Sequence, residues 1–306
     1  MRKGSFILYG ATLLIVAASW SCGNSKVKPQ DFETSIIDSN TKQDLYVWVE
    51  NARLRKEPNL ESEIITEIKG GEKISLTGEE TKDKTKTKLR GVDFEDVWVK
   101  AKTADGKEGW IFKGMLSNDP SLAANMNVFD IVPGRSVGKI NIGDRKDDVV
   151  KIYGAMFVKD GDIYFAEGNS LAGFYVFKDS PMEVECILDE KTGKISMIFL
   201  RQPNSNWVMP QTGVKVGMKL DDLAVVNKKP ITFSGFGWDF GGQILSFNSG
   251  DLSVYDAGMS ISLAEPDNLE GMDDFIGDKE CSTKNKAALN KGIKVAEIAI
   301  VAEEAL

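Results

Sequence analysis

The sequence predicts two structural classes in one chain, a small all-β unit followed by an α+β region built as two tandem helix-plus-antiparallel-sheet repeats. Three observations lead there. Residues 44 to 118 alternate apolar and polar side chains in short runs separated by turn residues, the pattern of half-buried strands. Beyond Pro120 a strand, a glycine and an acidic helix start occur twice, with Gly143 and Gly217 74 residues apart. The 306 residues are 42% hydrophobic, enough apolar material for more than one core and too little for a polytopic membrane protein.

Residues 1 to 21 read as a targeting segment. Arg2 and Lys3 precede an apolar stretch from Phe6 to Ala18, and small residues lead to a cysteine. The stretch is short for a membrane span, so cleavage is expected. Ser19-Trp20-Ser21-Cys22 resembles the lipobox of bacterial lipoproteins, in the looser form familiar in Bacteroidota and spirochaetes. The resemblance implies diacylglycerol on the Cys22 thiol, Cys22 as the first mature residue, and a cell-envelope protein anchored to a bacterial membrane, an outer membrane by expectation. Removing residues 1 to 21, which hold Arg2, Lys3 and no acid, takes the formal charge from −8 to −10. A field of that sign repels a polyanion, so no nucleic-acid partner is expected. Residues 22 to 43 are polar apart from a few apolar side chains such as Ile36 and Ile37, as expected of a lipidated flexible tether.

In residues 44 to 118 the expected strands are 45–49, 52–55, 63–68, 73–77, 97–101 and 108–112, with clear turns at Gly70-Gly71 and at Ala104-Asp105-Gly106-Lys107. Asn51-Ala52-Arg53-Leu54-Arg55-Lys56-Glu57-Pro58, the run from Ile64 to Gly71, and Trp98-Val99-Lys100-Ala101 with Gly106-Lys107-Glu108-Gly109-Trp110-Ile111 recur in the order of the bacterial SH3 domain, which this segment resembles. The resemblance implies a small SH3-like barrel that holds envelope proteins to cell-wall peptide or glycan. Two departures stand out: an insertion from Glu79 to Glu95, expected as an extended hairpin or loop, and Lys56-Glu57 in place of a small pair in the first binding loop.

Residues 119 to 306 form the predicted duplicated region, with repeats at about 137–210 and 211–306. Ile140 to Val150 parallels Val214 to Ala224. Each block is followed by an alternating segment, Met182 to Leu188 and Met259 to Leu263, and by a lysine-led strand, Lys194 to Phe199 and Lys294 to Ala299. The second copy carries an extra stretch around Glu265 to Asn290. Gly143-Asp144 with Val149 and Tyr153-Gly154 resembles the helical start of small outer-membrane assembly lipoproteins and of tandem β-lactamase-inhibitor-like modules, which implies an α+β binding fold.

The histidine count is zero. Histidine is the usual general base beside a Ser or Cys nucleophile and the commonest nitrogen ligand of catalytic zinc. Its absence removes the hydrolases, transpeptidases and zinc amidases that depend on it, and the expectation is a non-enzyme without cofactor or metal. A hydrolase using paired carboxylates or Ser-Lys survives as an alternative, as does a purely structural part of an outer-membrane assembly.

The candidate ligand-binding residues are Tyr46, Trp48, Arg55, Glu57, Trp98 and Trp110 in the first unit, because flat aromatic faces beside polar groups bind peptides and sugars. Trp98 shares a strand face with Lys100 and is expected to be exposed; Trp110 is expected to close the core; Tyr46 and Trp48 share a face and either can point out. Lys82, Lys84, Lys86, Lys88 and Arg90 occupy alternate positions and read as one solvated side of a hairpin. Asp144, Asp147, Asp148, Asp221 and Asp222 lack calcium-loop spacing and fit helix N-termini. In Phe233 to Gly242, four aromatics among four glycines suggest a tight β-hairpin in the core, and Phe236, Trp238 and Asp239 are the choice if this half binds anything. Cys186 and Cys281 can pair as one disulfide in an oxidising compartment or remain free.

Overall fold

A computed structural model describes residues 44–266, 270–289 and 291–302. The leader, Cys22 and the tether lie outside the described residues. The fold is strand-rich. Nine strands come first: β1 (Asp44–Val47), β2 (Asn51–Arg55), β3 (Ile64–Lys69), β4 (Lys73–Glu80), β5 (Thr85–Leu89), β6 (Val92–Asp96), β7 (Trp98–Thr103), β8 (Glu108–Phe112) and β9 (Leu116–Ser117). Seven of them form one antiparallel sheet in the order β3-β2-β8-β7-β4-β1-β9. Alternation sends Leu45, Val47, Ala52, Leu54, Ile74, Leu76, Val99, Ala101 and Ile111 inward, and all are buried. The turns are where glycine permits them: Gly71 (φ 85°) ends β3, and Gly106 (φ 88°) turns β7 into β8.

The insertion folds as a separate hairpin of β5 and β6, closed by Arg90 and Gly91 between paired Leu89 and Val92. Both tip residues have positive φ, 47° and 81°, the geometry of a two-residue turn that matches strand twist. Arg90 therefore does not continue the basic row. Lys82, Lys84, Lys86 and Lys88 are exposed, with Lys86 paired to Glu95 at 3.4 Å, whereas Arg90 turns inward and its side chain is 2% exposed. A side chain on Gly91 would meet the carbonyl of Lys178 at 1.8 Å, so the hairpin tip lies directly against the second half of the chain.

That half begins with α1 (Pro120–Met126), whose N-terminus is capped by Asp119 accepting from the amides of Ser121 (2.8 Å) and Leu122 (3.2 Å). A small sheet of β10 (Ile131–Val132), β11 (Ser136–Val137) and β12 (Ile140–Asn141) precedes α2 (Lys146–Tyr153). The acidic residues of this turn are structural: Asp144 accepts from the Asn141 amide at 2.8 Å, and Asp148 from the Arg145 amide at 3.1 Å. Then come β13 (Val158–Ala166), β14 (Asn169–Val176), β15 (Val184–Leu188), β16 (Ile195–Leu200), α3 (Leu220–Asn227), β17 (Thr232–Ser234), β18 (Ile244–Ser246), β19 (Met259–Leu263), β20 (Glu280–Ser282), α4 (Lys286–Leu289) and β21 (Val295–Val301).

The main sheet runs β13-β14-β15-β16-β21-β19, all antiparallel, while β18-β17-β20 form a separate sheet. The later segment thus divides its strands between two sheets, β17, β18 and β20 pairing with one another and β19 and β21 joining the main sheet. Its last strands extend the sheet begun by β13 to β16, and β20, from the extra stretch, pairs with β17. One face of the main sheet joins the principal core through Phe174, Val176, Val184, Ile198, Leu200, Ile298 and Ile300. On the other face Ile163, Ile187, Phe199 and Ala299 form a smaller cluster. The β13–β14 hairpin curls where Gly161 pairs with Gly173; a Cβ on Gly173 would meet the Cys186 carbonyl at 2.1 Å.

The principal core is continuous from the seven-stranded sheet into the α+β region. Arg90 sits at the junction, its guanidinium 5.8 Å from the ring centroid of Trp48, 5.9 Å from Phe129 and 4.9 Å from Phe177. Its Nε is 3.2 Å from Glu50 Oε1. Burial pushes the Arg90 pKa down, with Glu50 opposing. Nearby, the Tyr153 hydroxyl accepts from the Lys139 amide at 3.0 Å, and burial raises its pKa to about 12.

Candidate functional site

On the outer face of the seven-stranded sheet, Arg55 on β2 pairs with both Ile64 on β3 and Trp110 on β8, and Trp110 pairs with Lys100 on β7. Cross-strand partners share a face, so these four make one row. Gly109 and Ile111, on either side of Trp110, are buried, and Trp110 itself is half-buried and packed against the core. Lys100 is held by Glu79 at 2.6 Å, and this contact raises its pKa. Ile64 is exposed.

Arg55 is the positioning member of the row. It is 8% exposed, and its Nη1 donates to the Ser62 carbonyl at 2.5 Å, fastening the loop after β2. Within that loop the Glu57 amide donates to Ser62 Oγ at 2.8 Å, and Lys56 pairs with Glu63 at 2.5 Å. The Glu57 side chain is exposed at the loop's rim. An apolar ring edge flanked by fixed cations, carboxylates and an ordered loop can bind a polar ligand by stacking and hydrogen bonds.

Two of the aromatics expected on this surface exchange roles. Trp98 does share a face with Lys100, but the inserted hairpin covers that end of it: Trp98 is 2% exposed, its indole N–H donates to Thr85 Oγ1 at 2.8 Å, and its ring meets Phe112 edge-on at 6.0 Å. Trp110, expected in the core, is the more open ring. Tyr46 is half-buried on β1. Trp48 lies beyond the end of β1, where the alternation no longer holds, and is fully buried with its indole N–H donating to the Gly114 carbonyl at 2.9 Å.

In the second half Phe236 is 1% exposed and packs on Phe233 at 5.9 Å, so it is a core residue. Trp238 and Asp239 project with Phe240 from the loop between β17 and β18. The Trp238 indole N–H donates to the Gly235 carbonyl at 2.7 Å, which fixes its ring edge-on to Phe240 at 5.6 Å. Cys186 and Cys281 are both free and buried on strands of different sheets, so no bridge joins them. Burial raises the pKa of each thiol.

One carboxylate pair lies outside this surface. Arg201 holds Glu185 and, at 2.6 Å, Glu297, and its Nη2 donates to the Tyr164 carbonyl at 3.1 Å. Burial pushes the Glu185 carboxyl up, Arg201 opposing. Among the described residues no group of three His, Cys, Asp or Glu is placed to hold a metal ion, and no helix is long and apolar enough to cross a membrane.

Residues 50–117 match the bacterial SH3 domain family. The match runs from Glu50, just after β1, to Ser117 at the end of β9, and it contains the whole inserted hairpin. No curated protein matches the chain. The row of Arg55, Trp110 and Lys100 and the loop after β2 are therefore features of the SH3 domain, whereas Trp238 and Phe240 lie outside it.

Proposed function

We propose that the chain is a non-catalytic, lipid-anchored cell-envelope protein that binds cell-wall peptide, cell-wall glycan or an envelope protein through the outer face of its SH3 domain. The observation that carries the reading is the half-buried Trp110, set in the family-matched domain between its strand partners Arg55 and Lys100. The lipobox-like run ending in Cys22 supports the anchor. Co-sedimentation of the full chain with purified cell-wall sacculi, and a pull-down from solubilised envelopes, test it. Trp110→Ala should weaken capture about tenfold, the loss of one well-placed aromatic contact; because the ring also packs on the core the melting temperature falls too, so capture is compared at a temperature at which circular dichroism shows the variant folded. Capture of neither cell wall nor envelope protein by the wild-type chain sinks the proposal. Cys22→Ser should move the protein from the membrane pellet to the soluble fraction, and retention in the pellet argues against the lipid.

A duplicated origin for the C-terminal region draws support from matched hydrogen bonds. The Gly143 amide donates to the Ile195 carbonyl and the Gly217 amide to the Val295 carbonyl, each at 2.8 Å. The return bonds, Ile195 to Asp144 and Val295 to Met218, are also each 2.8 Å. In this reading each half is a helix followed by strands, and the region supplies a second binding face or completes an assembly. The hydrolase alternative has its best pair in Glu185 and Glu297, yet Arg201 is ion-paired to both, an arrangement suited to holding the sheet face together.

A further inference from the structure

On the loop between β17 and β18, Trp238 and Phe240 are 38% and 40% exposed. The bond from the Trp238 indole to the Gly235 carbonyl and the edge-on contact of the two rings hold them in place, so an apolar surface is already formed before anything binds to it. The loop is also acidic. Asp239 stands exposed between the two rings. Glu265 Oε2 accepts from the Gly237 amide at 3.2 Å, which fixes a second carboxylate beside the residue that precedes Trp238. Among the described residues neither Asp239 nor Glu265 is in an ion pair. The extra stretch of the second half runs alongside: the Phe236 amide donates to the Phe275 carbonyl at 2.7 Å, and the Gly277 amide donates back to the Phe236 carbonyl at 2.8 Å. From Glu265 to Glu280 that stretch holds seven acids and one lysine, Lys279, whose ammonium is bonded to the Asp273 carbonyl at 2.7 Å.

We propose that this loop is the docking site for a cationic segment of a partner protein, with arginine as its anchor. The inference names the chemistry of the second binding face proposed for the C-terminal region and rests on that reading, not on the SH3 surface. Two attractions act on the same group. The face of an aromatic ring draws a cation, and carboxylates without counter-charges add their own field. A guanidinium is planar and weakly hydrated, so it can stack on a ring while its N–H groups reach a carboxylate; an ammonium is compact and holds its water more tightly. The same charges weigh against other occupants. Sinking the rings into a bilayer takes Asp239 out of water with no counter-charge, and an anionic headgroup meets repulsion. An apolar peptide gains the rings at the expense of the same two carboxylates. The basic hairpin of a second copy has little free charge to offer, since Lys86 is paired with Glu95 and Lys88 stands opposite Asp93.

The test is isothermal titration calorimetry of the full chain in non-ionic detergent micelles with three hexapeptides, which alternate glycine with arginine, lysine or glutamate. The arginine peptide is expected to bind, the lysine peptide more weakly, and the glutamate peptide not at all. Trp238→Ala/Phe240→Ala should lower the affinity for the arginine peptide about tenfold. Asp239→Asn/Glu265→Gln should lower it to a similar extent, and here the side chains keep their shape and an amide oxygen can still accept from Gly237. Glu167→Gln/Glu190→Gln takes the same charge from exposed turns elsewhere and should leave the affinity unchanged. An equal loss in that control reduces the binding to the net charge of the chain and overturns the site. So does an affinity indifferent to the ring variant, a preference for the glutamate peptide, or no binding of any peptide. A wild-type dimer that the ring variant dissolves puts a second copy on the loop. Pelleting of the Cys22→Ser chain with phosphatidylcholine vesicles, lost when the rings are removed, puts lipid there. Either result overturns the partner protein. Trp110→Ala should leave the peptide affinity unchanged; a loss there moves the peptide to the SH3 face. Failure to bind the peptides, with cell-wall or envelope capture intact, ends this inference and leaves the SH3 reading standing.

Discussion

Trp48→Ala is expected to lower stability by about 4 kcal/mol, in the range for truncating a fully buried large aromatic. The indole is 0% exposed and touches three parts of the chain at once. Its ring lies 5.6 Å from Phe94 on the inserted hairpin and 5.4 Å from Phe157, which follows α2, and its N–H is bonded to the Gly114 carbonyl. Alanine leaves a cavity at the meeting point and strands that carbonyl. Urea titration followed by circular dichroism reads the loss. Because the cavity lies in the shared core, a single transition in wild type should separate into two in the variant, the SH3 domain and the α+β region melting apart. A loss below about 1 kcal/mol contradicts the packing described.

Removing Glu50 has the second largest expected effect. Glu50→Gln leaves the Arg90 guanidinium, buried among three rings, without a counter-charge, and breaking such a pair from one side costs about 3 kcal/mol. Arg90→Met should cost less, because the Glu50 carboxylate is 22% exposed and regains water, while methionine fills part of the space between the rings. The combined variant removes both charges and should be more stable than Glu50→Gln alone. The order of the three urea midpoints is the readout. A double variant no better than Glu50→Gln means that shape, and not charge, decides the site.

The strands of the SH3 domain were legible because each is bounded by a local signal. Gly70-Gly71 and the Asp105-Gly106 turn fix where β3 ends and β8 begins, and alternation assigns each face. What alternation cannot report is what lies on top of a face. Trp98 and Lys100 do share one, and the sequence carries no mark that β5 and β6 fold back over the tryptophan and not over the lysine. Arg90 continues a period-two pattern on paper, but β5 ends at Leu89, and the positive φ of the next residue reverses its direction. The Arg-Gly pair at the hairpin tip was the available signal. The Glu50–Arg90 pair joins residues far apart in sequence, and no local pattern encodes it. Phe236 and Trp238 are only two residues apart; a single inward turn of backbone at Gly237 (φ 86°) separates a core ring from an exposed one.

The hairpin of β5 and β6 also bears on portability. A binding module moves between proteins as a cassette when its surface is finished on every side. Here Arg90 and Gly91 seat against Lys178 and Phe177, and Trp48 completes its packing with Phe157, so one flank of the SH3 domain is finished only by the chain that follows it. An excised segment of residues 44–117 carries that flank bare. To graft this domain onto another host, a designer has to shorten the hairpin to an ordinary turn and resurface Trp48, or transplant the α+β region with it.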